Sequence, residues 1–294
     1  MERHEIEVFL TLAEELHFRR TSERLGLAQG RVSQTIKKLE RRIGVPLFER
    51  TSRRVALTPT GQQLRDDLIP VRRQLQRAVD RAMAMGRGIT GVLHVGYSSP
   101  MVAEILLRAA DTFRTRYPDC EIEIQEVQLS DPFGPLRSGR LDLQVTERPV
   151  REPDLTLGPV VLHEPRSLMV PAEHPFARRT SVSVEDLAES TLLAVSGAVP
   201  PYWLDHHYPR RTPQGSPVEH GPTFTYWTEV MNLVGLGRGV SPACRTAERY
   251  HARPDVAWVP FRDAPPVVYG FVWPASGESA RVRAFVDTVC EVTR

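Results

Sequence analysis

The fold of the N-terminal region is decided by residues 29–43, which read QGRVSQTIKKLERRI. Four apolar side chains recur in this stretch at the spacing of one helical face: Val32, Ile36, Leu39 and Ile43. The opposite face is polar and basic, and it carries Lys37 and Lys38, the only lysines of the chain. A shorter helix is predicted over about residues 18–25, and Gly26 provides the break between the two helices. This arrangement is typical of a helix-turn-helix.

The residues that follow predict a small wing and then one long helix. Residues 47–57 alternate weakly and place arginines between apolar pairs, as in a two-stranded wing with a basic tip. Thr58 and Pro59 have the order of an N-cap and a first helical residue. Apolar residues then repeat every three or four positions, which indicates a heptad seam. The seam has no expected partner inside a small N-terminal domain, so we predict a dimer through Leu64, Leu68, Val71, Leu75, Ala78 and Ala82.

Charge is distributed unevenly along the 294 residues. The whole chain has a net charge of +2, but residues 1–90 carry +7 and residues 91–294 carry −5. A basic segment of this kind favours a polyanionic partner, and the acidic remainder favours a different task. The hydrophobic content of 41% and the charged content of 25% are those of a globular protein, which excludes disordered and collagen-like classes.

Several other classes are disfavoured by what the sequence lacks. It begins with charged residues and contains no run of about 18 apolar residues, so we expect a cytoplasmic protein without a membrane span. Cys120, Cys244 and Cys290 are far apart, which suggests reduced thiols, with a redox-active cysteine as the alternative. The sequence has no Gly-x-Ser-x-Gly elbow, and the Asp-His-His run at 205–207 has no suitably spaced third metal ligand. We therefore predict no catalytic residues, no metal and no cofactor.

From Gly91 onward the pattern changes to alternating strands and helices. Strand patterns at 92–96, 121–125 and 141–145 are separated by helical stretches, which predicts a parallel sheet. Further strands are expected at 159–163, 166–171, 192–196, 256–261 and 267–273, and helices at 185–189, 200–207, 226–237 and 278–292. This region is therefore predicted to be a mixed α/β domain.

The N-terminal motif resembles the winged helix-turn-helix of LysR-type transcriptional regulators. The resemblance rests on an ordered series of residues: Glu23-Arg24-Leu25, Gln29, Val32-Ser33, Ile36, Leu39-Glu40, Gly44 through Arg50, and Leu57-Thr58. The later region is similar to the same family at Leu136-x-x-Gly139-x-Leu141-Asp142 and at Gly235-Leu236-Gly237-x-Gly239. The resemblance implies a winged helix-turn-helix DNA-binding domain at 1–58, a long linker and dimerisation helix at 59–88, and an effector-binding domain at 91–294.

This resemblance implies that the third helix and the wing bind double-stranded DNA. Glutamine can pair with adenine, arginine can reach guanine or phosphate, and short hydroxyls suit the backbone. The residues expected to contact DNA are Gln29, Arg31, Ser33, Gln34, Thr35, Lys37, Lys38, Arg50, Thr51, Arg53 and Arg54. The alternative is a merely solvated basic face.

For the C-terminal domain the resemblance implies a periplasmic-binding-protein-like fold, with lobe I at about 91–161 and 268–294 and lobe II at about 162–267. Ligands of open α/β folds bind beyond the carboxyl ends of strands. The expected effector site is therefore Ser98, Ser99, Pro100, Leu129, Thr146, Ser196, Tyr202, Trp203, Thr225, Tyr226 and Trp227. Its aromatic members favour an aromatic or hydrophobic effector, with core packing or a protein–protein surface as the alternative. Glu229 could pair with a ligand cation or cap a helix.

The expected function is a sequence-specific transcriptional regulator that responds to a small-molecule effector bound between its lobes. It is expected to be a homodimer or homotetramer and to act on RNA polymerase indirectly. An alternative is a small-molecule-binding protein or enzyme with a binding-protein-like fold, although such a protein would not need the basic N-terminal helices. A purely architectural DNA protein would not need the C-terminal domain. The effector, the operator and the direction of regulation remain open at this point.

Overall fold

A computed structural model describes residues 3–50, 55–87 and 89–293, and it divides into two compact units, residues 1–79 and residues 80–294. The N-terminal unit contains three helices, α1 (Arg3–Glu15), α2 (Phe18–Leu25) and α3 (Gln29–Ile43). Two short antiparallel strands follow, β1 (Phe48–Arg50) and β2 (Val55–Leu57), and then the long helix α4 (Pro59–Arg87) begins. The predicted helix-turn-helix, wing and linker helix are therefore all present.

The turn between α2 and α3 and the start of the wing are held by specific contacts. Gly26 ends α2 in the left-handed conformation, with φ +63°, which favours glycine. Val32, Ile36 and Leu39 are fully buried, as their spacing predicts, whereas Ile43 at the end of α3 is 38% exposed. The Glu40 carboxylate accepts backbone N–H bonds from Leu47 and Phe48, at 3.0 and 3.2 Å, and so ties β1 to α3.

The start of α4 confirms its predicted N-cap and corrects its predicted seam. The Thr58 hydroxyl accepts the Gly61 N–H at 3.0 Å, and Pro59 is the first helical residue. Leu64 and Leu68, which we predicted to face a second copy, pack instead against the core of the N-terminal unit. The first turns of α4 pack against the same apolar core as α1 and the wing strands, so Leu64 and Leu68 have their partners within one unit.

The apolar side chains later in α4 are exposed. Val71 and Leu75 are 51% and 50% exposed, and Val79, which lies beside the seam position Ala78, is 37% exposed. Ala78 and Ala82 belong to the predicted seam, but their side chains lie outside the described residues. The exposed apolar stripe therefore begins about two turns later than predicted, at Val71 and not at Leu64.

Lobe I of the C-terminal unit is a five-stranded sheet in the order β4-β3-β5-β12-β6, covered by helices. Its elements are β3 (Gly91–Tyr97), α5 (Pro100–Arg116), β4 (Cys120–Glu126), α6 (Gly134–Arg137), β5 (Leu143–Glu147), β6 (Leu155–Glu164), β12 (Val267–Pro274) and α10 (Ala280–Val292). The predicted parallel pairing is correct for β3 with β4 and β5. β12 is antiparallel to both β5 and β6, because it enters the sheet from lobe II.

Lobe II contains an antiparallel sheet in the order β10-β7-β11 and a parallel pair, β8 with β9. Its elements are β7 (Arg166–Pro171), β8 (Thr191–Val195), α7 (Pro201–His207), β9 (Glu219–Phe224), α8 (Trp227–Gly235), β10 (Ser241–Cys244), α9 (Glu248–His251) and β11 (Val256–Pro260), with 3-10 turns at Pro175–Arg178, Val184–Glu189 and Arg245–Ala247. The sequence pattern missed β9, β10 and α9, since β9 contains Gly-Pro and β10 contains a proline.

The chain passes between the lobes twice. It leaves lobe I between Glu164 and Arg166 and returns between Pro260 and Val267. Strand β6 extends three residues beyond the expected lobe boundary at 161, because Glu164 still pairs with Val267 of β12. Among the described residues, no helix is both long and apolar enough to cross a bilayer.

Candidate functional site

The solvent face of α3 is polar and basic. The buried residues Val32, Ile36 and Leu39 lie on one side, so the helical period places Gln34 and Lys37 on the other, and both are exposed. Gln29 and Arg31 are exposed near the start of the helix. Arg41 extends the same face one turn beyond Lys37, although the motif did not single it out. These groups are placed to donate to phosphates and base edges.

Other residues predicted to contact DNA have part of their hydrogen-bonding capacity used within the unit. Thr35 is half-buried, and its hydroxyl donates to the Arg31 carbonyl at 2.9 Å. The Lys38 ammonium lies 3.5 Å from the buried Glu5 carboxylate, which Arg42 also contacts at 2.6 Å. These contacts fix the side of α3 that faces α1. Ser33 is half-buried as well. Thr51, Arg53, Arg54 and the side chain of Arg50 lie outside the described residues.

A cavity of about 340 Å³ lies between the two lobes of the C-terminal unit. Lobe I contributes the ends of β3, β4 and β5, and lobe II contributes α7, β10 and the start of α8. This volume and the mostly apolar lining are those of a small-molecule site. Eight of the residues expected at the effector site line the cavity: Ser98, Ser99, Pro100, Leu129, Thr146, Trp203, Tyr226 and Trp227.

The lobe I side of the cavity includes the open N-terminus of α5. Ser99 is the N-cap, is buried, and makes no side-chain capping bond. The Ser98 hydroxyl oxygen is also buried, and within the described chain it has no hydrogen-bond partner. The first backbone N–H groups of α5 are therefore without a side-chain cap at this edge of the cavity.

Three predicted effector residues do not line the cavity, because their polar atoms bond elsewhere. The Tyr202 hydroxyl donates to Glu152 of lobe I at 2.6 Å. The Ser196 hydroxyl donates to the Phe224 carbonyl at 2.9 Å and lies 2.8 Å from the Thr225 hydroxyl. These contacts give the three side chains structural roles at the margin of the cleft.

Glu229 caps a helix, as one of its two predicted roles required. Its carboxylate accepts the backbone N–H groups of Thr225 at 2.6 Å and Tyr226 at 3.1 Å. These two bonds lower the pKa of Glu229. They also satisfy the N–H groups of the two residues that precede α8.

The aromatic cluster both packs in the core of lobe II and lines the cavity. Trp203 and Tyr208 are buried in the core of lobe II, and the Trp203 ring stacks on His207 with 4.1 Å between ring centroids. The same Trp203 and Tyr208, with the half-exposed Tyr226, also line the cavity. Core packing and an aromatic cavity wall are therefore properties of the same side chains.

A polar cluster that sequence reasoning missed forms the floor of the cavity where the chain passes between lobes. Glu147 ends β5, and its Oε1 accepts the Tyr269 hydroxyl at 3.0 Å. Burial raises the pKa of Glu147 and raises that of Tyr269 well above its usual value. Arg166 is buried, and its guanidinium lies 3.1 Å from His207 Nδ1. These residues come from distant parts of the chain, so no local motif could have brought them together.

His207 links this floor to both lobes. Its Nε2 lies 3.0 Å from the Arg148 carbonyl of lobe I, so Nε2 is the donor and Nδ1 accepts from Arg166. Burial lowers the pKa of His207 well below its usual value, and burial lowers that of Arg166. His207 is therefore neutral at neutral pH.

The rim of the cleft is closed by contact between a loop of each lobe. The Ala198 N–H of lobe II donates to the Ser130 carbonyl of lobe I at 2.6 Å. Gly197 has φ +115°, and a Cβ at this position would stand 2.2 Å from the same Ser130 oxygen. Glycine is required at 197 for both reasons.

The buried cysteines show no sign of thiolate character. Burial raises the pKa of Cys120 to about 11 and also raises that of Cys244, which lines the cavity. A reactive thiol requires the opposite shift. In the described part of the chain, no three His, Cys, Asp or Glu side chains are grouped so that they could hold a metal ion.

Comparison with known families identifies both units. Residues 4–62 match the model of bacterial regulatory helix-turn-helix proteins of the lysR family, and residues 86–294 match the LysR substrate binding domain. The chain belongs to the LysR family of transcriptional regulators. A LysR-family protein combines a helix-turn-helix DNA-binding domain with an effector-binding domain, so this chain is a DNA-binding transcriptional regulator whose activity responds to an effector.

Relatives of this LysR-family regulator are similar over most of their length. The uncharacterised HTH-type regulator YnfL of Escherichia coli is 31% identical over 288 residues, which cover 95% of this chain and 94% of YnfL. The E. coli regulator OxyR is 29% identical over 247 residues, covering 82% of this chain and 78% of OxyR.

Solved structures share the fold. CbnR, a LysR-family regulator, has a TM-score of 0.68 at 19% identity and full coverage of both chains. A full-length OxyR variant from Pseudomonas aeruginosa has a TM-score of 0.63 at 23% identity, covering 98% of this chain and 94% of that one. CbnR has also been solved in complex with its target DNA.

Proposed function

We propose that this LysR-family regulator reads its operator with the outer face of α3, chiefly through Gln34, Lys37 and Arg31. The observation that carries the proposal is the combination of a fully buried apolar face and an exposed polar, basic face on one helix. Glutamine at the centre of that face suits adenine, and lysine suits phosphate. The wing residues Arg50, Thr51, Arg53 and Arg54 are proposed to contact the DNA backbone.

Replacing Gln34 with alanine tests this assignment. We expect operator affinity to fall by about 1–3 kcal/mol, while affinity for unrelated DNA is unchanged. Lys37→Ala should instead weaken binding to the operator and to unrelated DNA alike. It should also reduce the salt dependence of binding by the amount expected for about one lost phosphate contact. Gln125→Ala, an exposed glutamine in the effector unit, is the matched control. Equal operator affinity of Gln34→Ala and this control at fixed salt would contradict the proposal.

We further propose that the interlobe cavity binds an aromatic or hydrophobic effector. The supporting observation is a cavity of about 340 Å³ whose walls include the rings of Trp203, Tyr226 and Trp227. Aromatic pairs in such walls contribute about 0.5–1.5 kcal/mol each beyond buried area. Binding there would favour one arrangement of the lobes and shift the regulator between states.

Tryptophol, a neutral indole, is a suitable probe for the aromatic wall. Calorimetric titration of the full chain should detect binding, and Tyr226→Ala should weaken it by about two- to tenfold. Tyr226 is 52% exposed, so its loss should not unfold the protein. Leu236→Ala, at a 75% exposed position outside the cavity lining, is the control. Equal affinity in the two variants would contradict a role for Tyr226.

The remaining parts of the proposal concern oligomerisation, the effect on transcription and the absence of catalysis. Val71, Leu75 and Val79 are proposed to pair with the same residues of a second copy, since they form an exposed apolar stripe on α4. The regulator would then bind DNA as a dimer or tetramer and influence RNA polymerase through the DNA. We propose that the cleft binds without catalysing a reaction, because no described residue is hydrogen-bonded to the Ser98 hydroxyl as a base and burial raises the pKa of the Cys244 thiol. A DNA target implies that the protein acts in the cytoplasm.

A further inference from the structure

We propose that the effector carries an amine beside its aromatic body and that the Glu147 carboxyl accepts this amine. The inference rests on the proposed binding of an aromatic effector in the interlobe cavity and narrows it to a chemical class. It depends on which charged groups of the cavity already have partners and which do not.

Glu147 presents one carboxyl oxygen to the cavity without a hydrogen bond. Its Oε1 accepts the Tyr269 hydroxyl at 3.0 Å. Within the described chain, the one basic nitrogen within 4.0 Å of Oε2 is His207 Nδ1, at 3.9 Å, which is beyond hydrogen-bond distance. That nitrogen already accepts from Arg166, so it has no proton to offer Glu147. The Glu147 side chain is 24% exposed although it lies on the cavity floor, and Oε2 is the atom open to a ligand.

The basic groups of the cavity lining cannot receive an anion as readily. The two Nη atoms of Arg166 contact the His206 carbonyl and His207 Nδ1, at 3.5 and 3.1 Å. The Arg166 Nε is buried beyond reach of the cavity. Burial lowers the pKa of both lining histidines, His207 and His251, which are therefore neutral at neutral pH.

The net charge of the lining follows from these assignments. Glu126 and Glu147 are its acidic residues, and Arg166 is its one charged base among the described residues, so the formal charges of these side chains sum to −1. Beside Glu147, a ligand carboxylate would face this charge, whereas an ammonium group would neutralise it. A buried ammonium needs such a partner, because an unpaired charge in an apolar site is strongly unfavourable.

The aromatic walls favour the same chemistry. The rings of Phe133, Trp203, Trp227 and Tyr269 line the cavity with Glu147 on its floor. The face of an aromatic ring attracts a cation, and most strongly where water is excluded. A carboxylate acceptor in a cavity with aromatic walls is therefore a receptor for an alkylammonium group attached to an apolar body.

Three indoles that differ only in the head group test the inference on the full-length protein. Tryptamine carries an ammonium, tryptophol a hydroxyl and indole-3-acetate a carboxylate. Isothermal titration should rank tryptamine first, tryptophol second and indole-3-acetate last, with at least about tenfold between the first and the last. This ranking uses the unmodified protein, so it needs no variant to fold.

Glu147→Gln then assigns the preference to one residue. The amide keeps an acceptor for Tyr269 but removes the charge, and tryptamine affinity should fall about tenfold while tryptophol affinity stays within about threefold. Glu126→Gln is the matched control, because Glu126 lines the same cavity but is exposed at the end of β4. It should change tryptamine binding by less than about threefold.

The possible failures are distinguishable. Preference for indole-3-acetate, or an unchanged tryptamine affinity in a folded Glu147→Gln protein, overturns the role of Glu147 but leaves the aromatic cavity in place. Failure of all three indoles to bind overturns the proposed aromatic effector, and this inference with it.

Discussion

Replacing Gly197 with alanine should weaken the contact that closes the rim of the cleft. The left-handed φ of +115° at this position is unfavourable for a residue with a Cβ, by about 1–2 kcal/mol. The added Cβ would also stand 2.2 Å from the Ser130 carbonyl oxygen, so the loops of the two lobes must separate. That separation breaks the Ala198 N–H bond to the same oxygen, which contributes about 0.5–1.5 kcal/mol. We expect a total destabilisation of about 1.5–3.5 kcal/mol.

Gly215→Ala isolates the backbone contribution. Gly215 also has a left-handed φ, +91°, but a Cβ there would meet no atom within 4 Å. Its substitution should therefore destabilise by only about 1–2 kcal/mol. All four tryptophans lie after residue 90, so tryptophan fluorescence during urea unfolding reports on the effector unit alone. Equal free energies of unfolding for the two variants would refute the reasoning, because the rim contact would then contribute nothing.

Three further predictions concern other parts of the molecule. Gly30→Ala should stabilise the N-terminal unit by about 0.5–1 kcal/mol in a denaturant titration, since Gly30 is helical and a Cβ there meets open space; a loss of stability would contradict this. Leu68→Ala should destabilise the same unit by about 2–5 kcal/mol, because Leu68 is buried in its core. Val71→Ala should leave the free energy of unfolding nearly unchanged and instead raise the dimer dissociation constant measured by sedimentation equilibrium. The reverse pattern would restore Leu68 to the dimer seam. Tyr202→Phe should lower the stability of the effector unit by about 1–2 kcal/mol, because it removes the hydroxyl that bonds to Glu152 across the lobes; unchanged fluorescence-detected unfolding would contradict that link.

Helix α4 shows what a sequence pattern can predict and what it cannot. Its heptad spacing correctly predicts a continuous helix with one apolar face, but the spacing is the same for residues that pack inside the unit and residues that remain exposed. Leu68 is 8% exposed and Val71 is 51% exposed, although they are neighbours in the seam. Which part of an apolar stripe is free depends on where other elements end, and a local pattern does not contain that information.

In the cleft, likewise, the positions of strand ends could be predicted from the sequence, whereas the directions of side chains could not. Strand-end reasoning located Ser98, Ser99 and Thr146, because the carboxyl ends of parallel strands meet at one edge of a sheet. It also included Tyr202, whose hydroxyl bonds to Glu152 instead. It missed Glu147, which directly follows Thr146, because nothing in the local sequence indicates that its carboxyl faces a cavity.

The sequence by itself determined the family, the two units and the polar, basic face of α3. Each depends on contacts between residues close in the chain: helical periodicity, a glycine turn, an N-cap and an ordered motif. Tertiary structure alone decided the chemistry of the cleft. Glu147, Arg166, His207 and Tyr269 are separated by up to 122 residues, and they meet because the chain passes between the lobes twice. Their charge states depend on burial and on neighbours from the other lobe, and both exist only in the folded protein.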